Sequence, residues 1–100
     1  MNFITISKED VNSIKGFYGN EKKINVSEIL KNILNLNIKK KKYFIIIKVN
    51  NITFKKDPDI NKQKKLYLKI NDKSYEFKEQ TILSFNLKFT FNLVLKHNFD

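Results

Sequence analysis

The chain has no cysteine, arginine, alanine or tryptophan, and only two glycines, one proline and one histidine in 100 residues. Each absence removes a class of chemistry. Without cysteine there is no disulfide, no thiolate metal site and no thiol nucleophile, which fits a reducing compartment. Without arginine there is no planar fork for bidentate recognition of a carboxylate, a phosphate or a guanine edge. The single histidine, His97, has no cysteine and no obvious carboxylate partner, so neither a metal site nor a catalytic triad can be assembled around it. No apolar run approaches the roughly 20 residues that cross a bilayer as a helix. The segment Met1 to Ile6 lacks a basic leader region and meets Glu9-Asp10 soon after, so it does not read as a signal peptide. The cytoplasm is therefore an expected location.

What is present is equally skewed. Lysine accounts for all twenty basic residues, with fourteen asparagines, fourteen isoleucines and nine phenylalanines. These residues have codons rich in A and T, whereas alanine, arginine, glycine and proline favour G and C. A very AT-rich genome explains the pattern, so part of the lysine excess reflects mutation pressure. The formal charge of +10 still suggests an anionic partner such as nucleic acid, a membrane surface or an acidic protein. Contacts made by lysine alone would be non-specific and sensitive to salt. An apolar fraction of 41% is enough for one small folded domain across residues 1–100. Two sequons, at Asn25 and Asn51, match what chance gives in so asparagine-rich a chain and carry no weight.

Hydrophobic periodicity predicts mostly strands. Residues 2–6 read as a first strand and 9–13 as a polar turn. Residues 14–18 are ambiguous, and Gly19-Asn20 signals a turn. Lys23 to Val26 fits a brief strand. Ser27 stands where a helix N-cap would, and Ile29, Leu30, Ile33 and Leu34 form one stripe, predicting a two-turn helix over 28–35. Tyr43 to Val49 is apolar on both faces and reads as a central strand, with Ile52 to Phe54 as its continuation. Lys55 to Lys64 is a loop around Asp57-Pro58-Asp59. Lys65 to Asn71 and Ser74 to Lys78 alternate and predict a hairpin turning at Asp72-Lys73. Glu79-Gln80 is a turn. Phe85 to Leu95 shows the longest alternation in the chain. The predicted fold is all-β: an antiparallel β-sandwich of about seven strands with one short helix.

The order of several elements is similar to a known domain. Phe17-Tyr18-Gly19, Val26-Ser27 opening a helix, Val49-Asn50-Asn51-x-x-Phe54, Asp57-Pro58, and Lys65-Leu66-Tyr67-Leu68 before a hairpin follow one another over residues 15–85. This resembles a small all-β domain of unknown function found at the C-terminus of a mitochondrial DnaJ-type co-chaperone and as standalone copies in microbes and large DNA viruses. The family pattern carries glycine just before Asp-Pro, where this chain has Lys56. The resemblance implies no catalytic residue. It marks Tyr18, Gly19, Asn51, Phe54, Asp57 and Pro58 as structural.

Four constellations have a functional reading. Asp57 and Asp59 could ligate Ca²⁺, but the spacing does not continue and Lys55, Lys56 and Lys62 oppose a cation, so a turn is expected. Three basic clusters (Lys39, Lys40, Lys41 and Lys42; Lys55 and Lys56; Lys62, Lys64 and Lys65) could form an anion-contacting surface, or simply a solvated one. Phe85, Phe89 and Phe91 interleave with Lys88 as a stacking platform would, but Leu87, Leu93 and Leu95 share their face, which points to core. The polar side of the last strand could pair with another chain if it lies at an edge. No acid, base or nucleophile converges. The sequence therefore suggests a non-catalytic structural or protein-interaction module without cofactor. The resemblance, with the AT-rich bias, implies its most specific form, a minor capsid or virion component of a large DNA virus docking onto other assembly subunits. The alternative is a non-specific nucleic-acid-binding basic protein. Oligomeric state is open.

Overall fold

A computed structural model of the protein describes residues 2–88. It is built mostly of strands: β1 (Asn2–Ser7), a short 3-10 helix (Glu9–Ser13), β2 (Lys15–Gly19), β3 (Lys23–Asn25), α1 (Ser27–Lys39), β4 (Phe44–Lys48), β5 (Lys65–Ile70), β6 (Lys73–Lys78) and β7 (Ile82–Lys88). These strands form a three-stranded sheet ordered β1-β7-β4 and a four-stranded sheet ordered β3-β2-β5-β6.

The prediction of an all-antiparallel arrangement needs correction. The four-stranded sheet is antiparallel throughout. In the other sheet, however, β1 runs parallel to β7 while β4 runs antiparallel to it. The parallel pair joins the first and last described strands, and no hairpin can make such a pair. Nothing local in the sequence announces it.

One hydrophobic core draws on both sheets and the helix. Ile4, Ile6, Ile45, Ile47, Leu83 and Phe85 face inward from the three-stranded sheet; Tyr18, Leu66, Leu68 and Ile70 face inward from the other; Leu30 and Leu34 come from α1. Alternation along each strand produces these inner faces, because successive side chains point to opposite sides. The helix approaches β2 at Gly16, where an added Cβ would sit 2.7 Å from Leu30 Cδ1. A side chain at Gly16 would force the Leu30 side chain to move.

Several local expectations change. Ser27 is the first helical residue and not the cap. Its hydroxyl oxygen accepts the Gly16 N–H at 2.9 Å, while Asn25 Oδ1 accepts the Ser27 N–H at 2.9 Å. The helix runs four residues past the predicted end, to Lys39. The Lys42 N–H reaches the Asn37 carbonyl and the Lys41 N–H the Ile38 carbonyl, with Lys41 at φ 59°. This is a Schellman cap with lysine in the left-handed position that glycine usually fills. Among the described residues β4 is an edge strand, not a central one, and Phe44 and Ile46, on its outer side, are 75% and 59% exposed. Residues 52–54 are a turn and not a strand continuation, held by Asn50 Oδ1 accepting the Thr53 N–H. The hairpin turns one residue earlier than predicted, at Asn71-Asp72, with Asn71 at φ 54°. Phe85 is buried, and β7 is the middle strand of its sheet, so it offers no free edge. Phe89, Phe91, Leu93, Leu95, His97 and the rest of the predicted last strand lie outside the described residues.

Candidate functional site

The residues marked as structural come together, with the loop between β4 and β5 packed against β2. The Tyr18 and Phe54 rings lie 4.6 Å apart, centroid to centroid, and both residues are buried. The Tyr18 hydroxyl donates to Asn51 Oδ1 at 2.6 Å. Burial, with the carboxylates of Glu79 and Asp57 nearby, pushes the Tyr18 phenol up to about 12. Gly19 sits at φ 154°, where an added Cβ would fall 2.0 Å from the Lys22 carbonyl oxygen. Only glycine fits this turn.

Asp57 and Asp59 each serve this loop. Asp57 Oδ1 accepts the Asp59 N–H at 3.2 Å, the turn expected from Asp-Pro-Asp. The Asp59 carboxylate accepts the backbone N–H groups of Glu21 and Lys22. The Lys22 N–H above all holds the Asp59 carboxyl below its ordinary range. Asp57 also meets Lys64, whose ammonium lies 2.8 Å from Asp57 Oδ1, 4.0 Å from Glu79 Oε1 and 2.8 Å from the Lys62 carbonyl. Lys64 is only 3% exposed, so it does not belong to an anion-contacting surface. A charge this deep requires partners, and it has them. The unit is a brace: it fixes the loop, and its charged groups are satisfied within the chain.

The other lysines of the three clusters are dispersed. Lys39 ends α1 and Lys40 to Lys42 form its cap, where positive charge favours the helix dipole. Lys55, at φ 59°, and Lys56 sit at the turn after β4. Lys62 pairs with Glu21 at 2.9 Å, and Lys65 with Glu76 at 3.6 Å. Of these nine lysines, Lys65 alone lies on the outer face of the four-stranded sheet.

That face is the candidate site, and no run of adjacent lysines points to it. The residues pointing outward are Lys23 and Asn25 on β3, Lys15 and Phe17 on β2, Lys65, Tyr67 and Lys69 on β5, and Ser74, Glu76 and Lys78 on β6. Register places Phe17 directly opposite Tyr67, two rings at the centre of the sheet. Lys15 stands opposite Lys69, and Lys65 opposite Lys78. Five lysines thus surround two aromatics with one carboxylate, Glu76. The Lys23 ammonium lies 5.3 Å from the Tyr67 ring centroid. A shallow cavity of about 310 Å³ opens here, lined by Lys15, Phe17, Tyr67, Lys69, Ser74 and Glu76 among others. The signal in the sequence is period two: Lys15-x-Phe17 and Lys65-x-Tyr67-x-Lys69 place lysine and ring on one side of each strand. Runs of adjacent lysines hide it, because neighbours in a strand face opposite ways.

The three-stranded sheet has a different exterior. Phe3, Ser84 and Ile46 share one row across its outer side, Thr5, Asn86 and Phe44 the next, and Ile82 stands opposite Lys48. Phe3, Phe44, Ile46 and Ile82 are all exposed. No helix of the described residues is long and apolar enough to cross a membrane. No family model, curated protein or solved structure matches the chain.

Proposed function

We propose that this protein is a non-catalytic binding module that docks onto a polyanionic partner through the outer face of the four-stranded sheet. The observation that carries this reading is the pairing of like charges. Lysines placed directly opposite each other destabilise a sheet, and here two such pairs share one face. Fold stability does not account for them; an anionic partner does. The absence of a catalytic role is supported by how four buried or half-buried carboxylates are used. Asp10, Asp57, Asp59 and Glu79 are all engaged by backbone N–H groups or side-chain donors of the chain itself. The test is binding of heparin and of nucleic acid from low salt to about 0.15 M, comparing wild type with a Lys15→Gln, Lys69→Gln variant. Weaker binding and a shallower salt dependence in the variant are expected. Equal affinities at every salt concentration would reject the reading.

A second reading has its own observation. The outer side of the three-stranded sheet exposes Phe3, Phe44, Ile46 and Ile82, a patch of the kind that marks a protein contact. It supports the assembly role, with a small virion component of a large DNA virus as its most specific form. The resemblance to the co-chaperone domain and its standalone viral copies supports the same reading. A pull-down comparing wild type with a Phe44→Lys, Ile46→Lys variant tests it: loss of partners is expected, and an unchanged set rejects it.

A further inference from the structure

We infer that the polyanionic partner of the four-stranded sheet is single-stranded nucleic acid, an assignment that rests on the docking role proposed for that face. Unpaired bases stack on Phe17 and Tyr67, and the phosphates run over the surrounding lysines.

Three features separate this partner from other polyanions. First, charge alone would not place rings at the centre of the face. Phe17 is 43% exposed although its neighbours in β2, Gly16 and Tyr18, are buried. An exposed ring framed by ammonium groups suits a ligand with both a π-face and a charged backbone. Second, Phe17 and Tyr67 are directly opposed across adjacent strands, so their Cβ atoms stand about 5 Å apart. Bases of one strand can meet both rings in succession. A four-stranded antiparallel sheet with rings on adjacent strands is a recurring platform for unpaired bases. In a duplex the bases stack on one another, and their faces cannot reach such rings. Third, the chain has no arginine, so the planar fork that reads guanine edges is missing and stacking on base faces with lysine–phosphate contacts carries the binding, with little dependence on sequence.

Two residues oppose the ligand and sharpen the picture. The Lys23 ammonium occupies one side of the Tyr67 ring at 5.3 Å. A base stacking there displaces it toward the phosphates, an exchange of one π-contact for another with a new ionic one. Glu76 stands opposite Tyr67 and repels phosphate, partly masked by Lys65 at 3.6 Å.

The experiment is fluorescence anisotropy with labelled oligothymidylate, a labelled duplex of mixed sequence, and heparin as competitor. The proteins are wild type, Phe17→Leu, Tyr67→Leu and the Lys15→Gln, Lys69→Gln variant. Thermal unfolding of each confirms that the fold is kept. Wild type should prefer the single strand to the duplex. Each leucine variant should weaken oligothymidylate binding by roughly five- to a hundredfold, as loss of a base–aromatic stack does, while duplex and heparin binding stay constant. The lysine variant should weaken all three ligands. If the leucine variants bind oligothymidylate as wild type does, the stacking inference falls while the polyanion reading stands. If the lysine variant also matches wild type for every ligand, both fall.

Discussion

The two sheets share one core but turn opposite exteriors to solvent. The four-stranded sheet shows five lysines around Phe17 and Tyr67. The three-stranded sheet shows Phe3, Phe44, Ile46 and Ile82, with Lys48 and Lys88 toward opposite ends. The comparison bears on the lysine excess. Codon bias toward A and T acts on every strand of the chain alike. It can raise the total of lysine, isoleucine and phenylalanine, but it does not explain why lysine is denser on one face, five against two, and exposed phenylalanine with isoleucine denser on the other, four against one. The sorting therefore needs a physical cause. Solvation favours charge on both exteriors, so the apolar exterior is the costlier one to leave uncovered, and the crowded lysines are the costlier ones to leave unpaired.

The strongest way to break this comparison is to change the two sides of one strand. Tyr18 and Phe17 are adjacent in β2, one facing in and the other out. Tyr18→Ala should cost about 3–5 kcal/mol, the usual loss for a buried aromatic, because Phe54 loses its ring partner and Asn51 its donor. Phe17→Ala should cost less than about 1 kcal/mol, with its effect appearing in ligand affinity instead. Urea unfolding of both variants checks this. Comparable losses would mean that Phe17 is part of the fold, and the lysine-rich face would then lose its centre.

The next effect comes from the brace beneath that face. Asp57→Ala leaves the Lys64 ammonium buried with only Glu79, at 4.0 Å, as a carboxylate partner, and should cost about 3 kcal/mol. Lys64→Met should cost less. The Asp57 side chain is 33% exposed and can be hydrated once its partner is gone. Chemical denaturation of the two variants tests the asymmetry, which distinguishes Lys64 from the neighbouring, outward-facing Lys65. Equal costs would place the penalty on the loop and not on the stranded cation.

Alkaline pH examines the same buried side. The Tyr18 phenol titrates near 12 in the folded chain, against about 10 when unfolded. Between those values the unfolded chain gives up this proton and the folded one keeps it. Stability is therefore lost as pH rises from 10 toward 12, with no contribution from this group below 10. Tyr18→Phe should cost about 1 kcal/mol at neutral pH, for the hydrogen bond to Asn51, and should flatten the alkaline decline. Asp59 acts at the other end of the scale. Its lowered pKa gives stability that is present above about pH 4 and lost as pH falls through the folded value, so Asp59→Asn should flatten the acid limb. Stability curves that overlay wild type across either range would remove these groups from the account.

How much of the fold and the site is legible in the sequence depends on range. Strand β1 follows from β-branched and aromatic residues, β5 and β6 from period-two patterns of near neighbours, and the stripe containing Leu30 and Leu34 announces the helix. The brace residues Tyr18, Gly19, Asn51, Phe54 and Asp57 are marked as a set only by the resemblance to the co-chaperone domain and not by any period in the chain. What escapes depends on pairing between distant segments. Phe44 to Lys48 looks central because it is apolar on both sides, yet among the described residues it pairs with β7 on one side only. The parallel β1–β7 contact joins residues about eighty positions apart. Along the chain, Lys64 and Lys65 look alike. Register buries the first and puts the second on the sheet face. The candidate site needs that same register, since Phe17 and Tyr67 meet only when β2 pairs with β5.

Two smaller effects separate the exteriors further. The Phe44→Lys, Ile46→Lys variant should change stability by no more than about 0.5 kcal/mol, as exposed positions do. It should abolish any protein association through the three-stranded sheet and leave oligothymidylate affinity constant. Parallel binding and pull-down assays read both. A drop in oligothymidylate affinity would join the two exteriors into one surface and end the contrast between them.

The smallest expected effect is a gain. Lys41 holds φ 59° at the end of α1, a conformation that costs an L-residue about 1–2 kcal/mol. Glycine adopts it freely but gives the unfolded chain about 0.4–1 kcal/mol of extra freedom. Lys41→Gly should therefore stabilise the protein by no more than about 0.5 kcal/mol, because losing a cation that favours the helix dipole offsets part of the backbone gain, seen as a small rise in the urea midpoint at unchanged slope. Its larger use is in sorting the lysines. Removing this charge takes one cation from the Lys39 to Lys42 run and none from the sheet face. Polyanion affinity should stay within error of wild type, whereas the Lys15→Gln, Lys69→Gln variant loses it. Were Lys41→Gly to weaken binding as much per charge removed, the partner would be responding to total charge, and the orderly face would have no special claim on it.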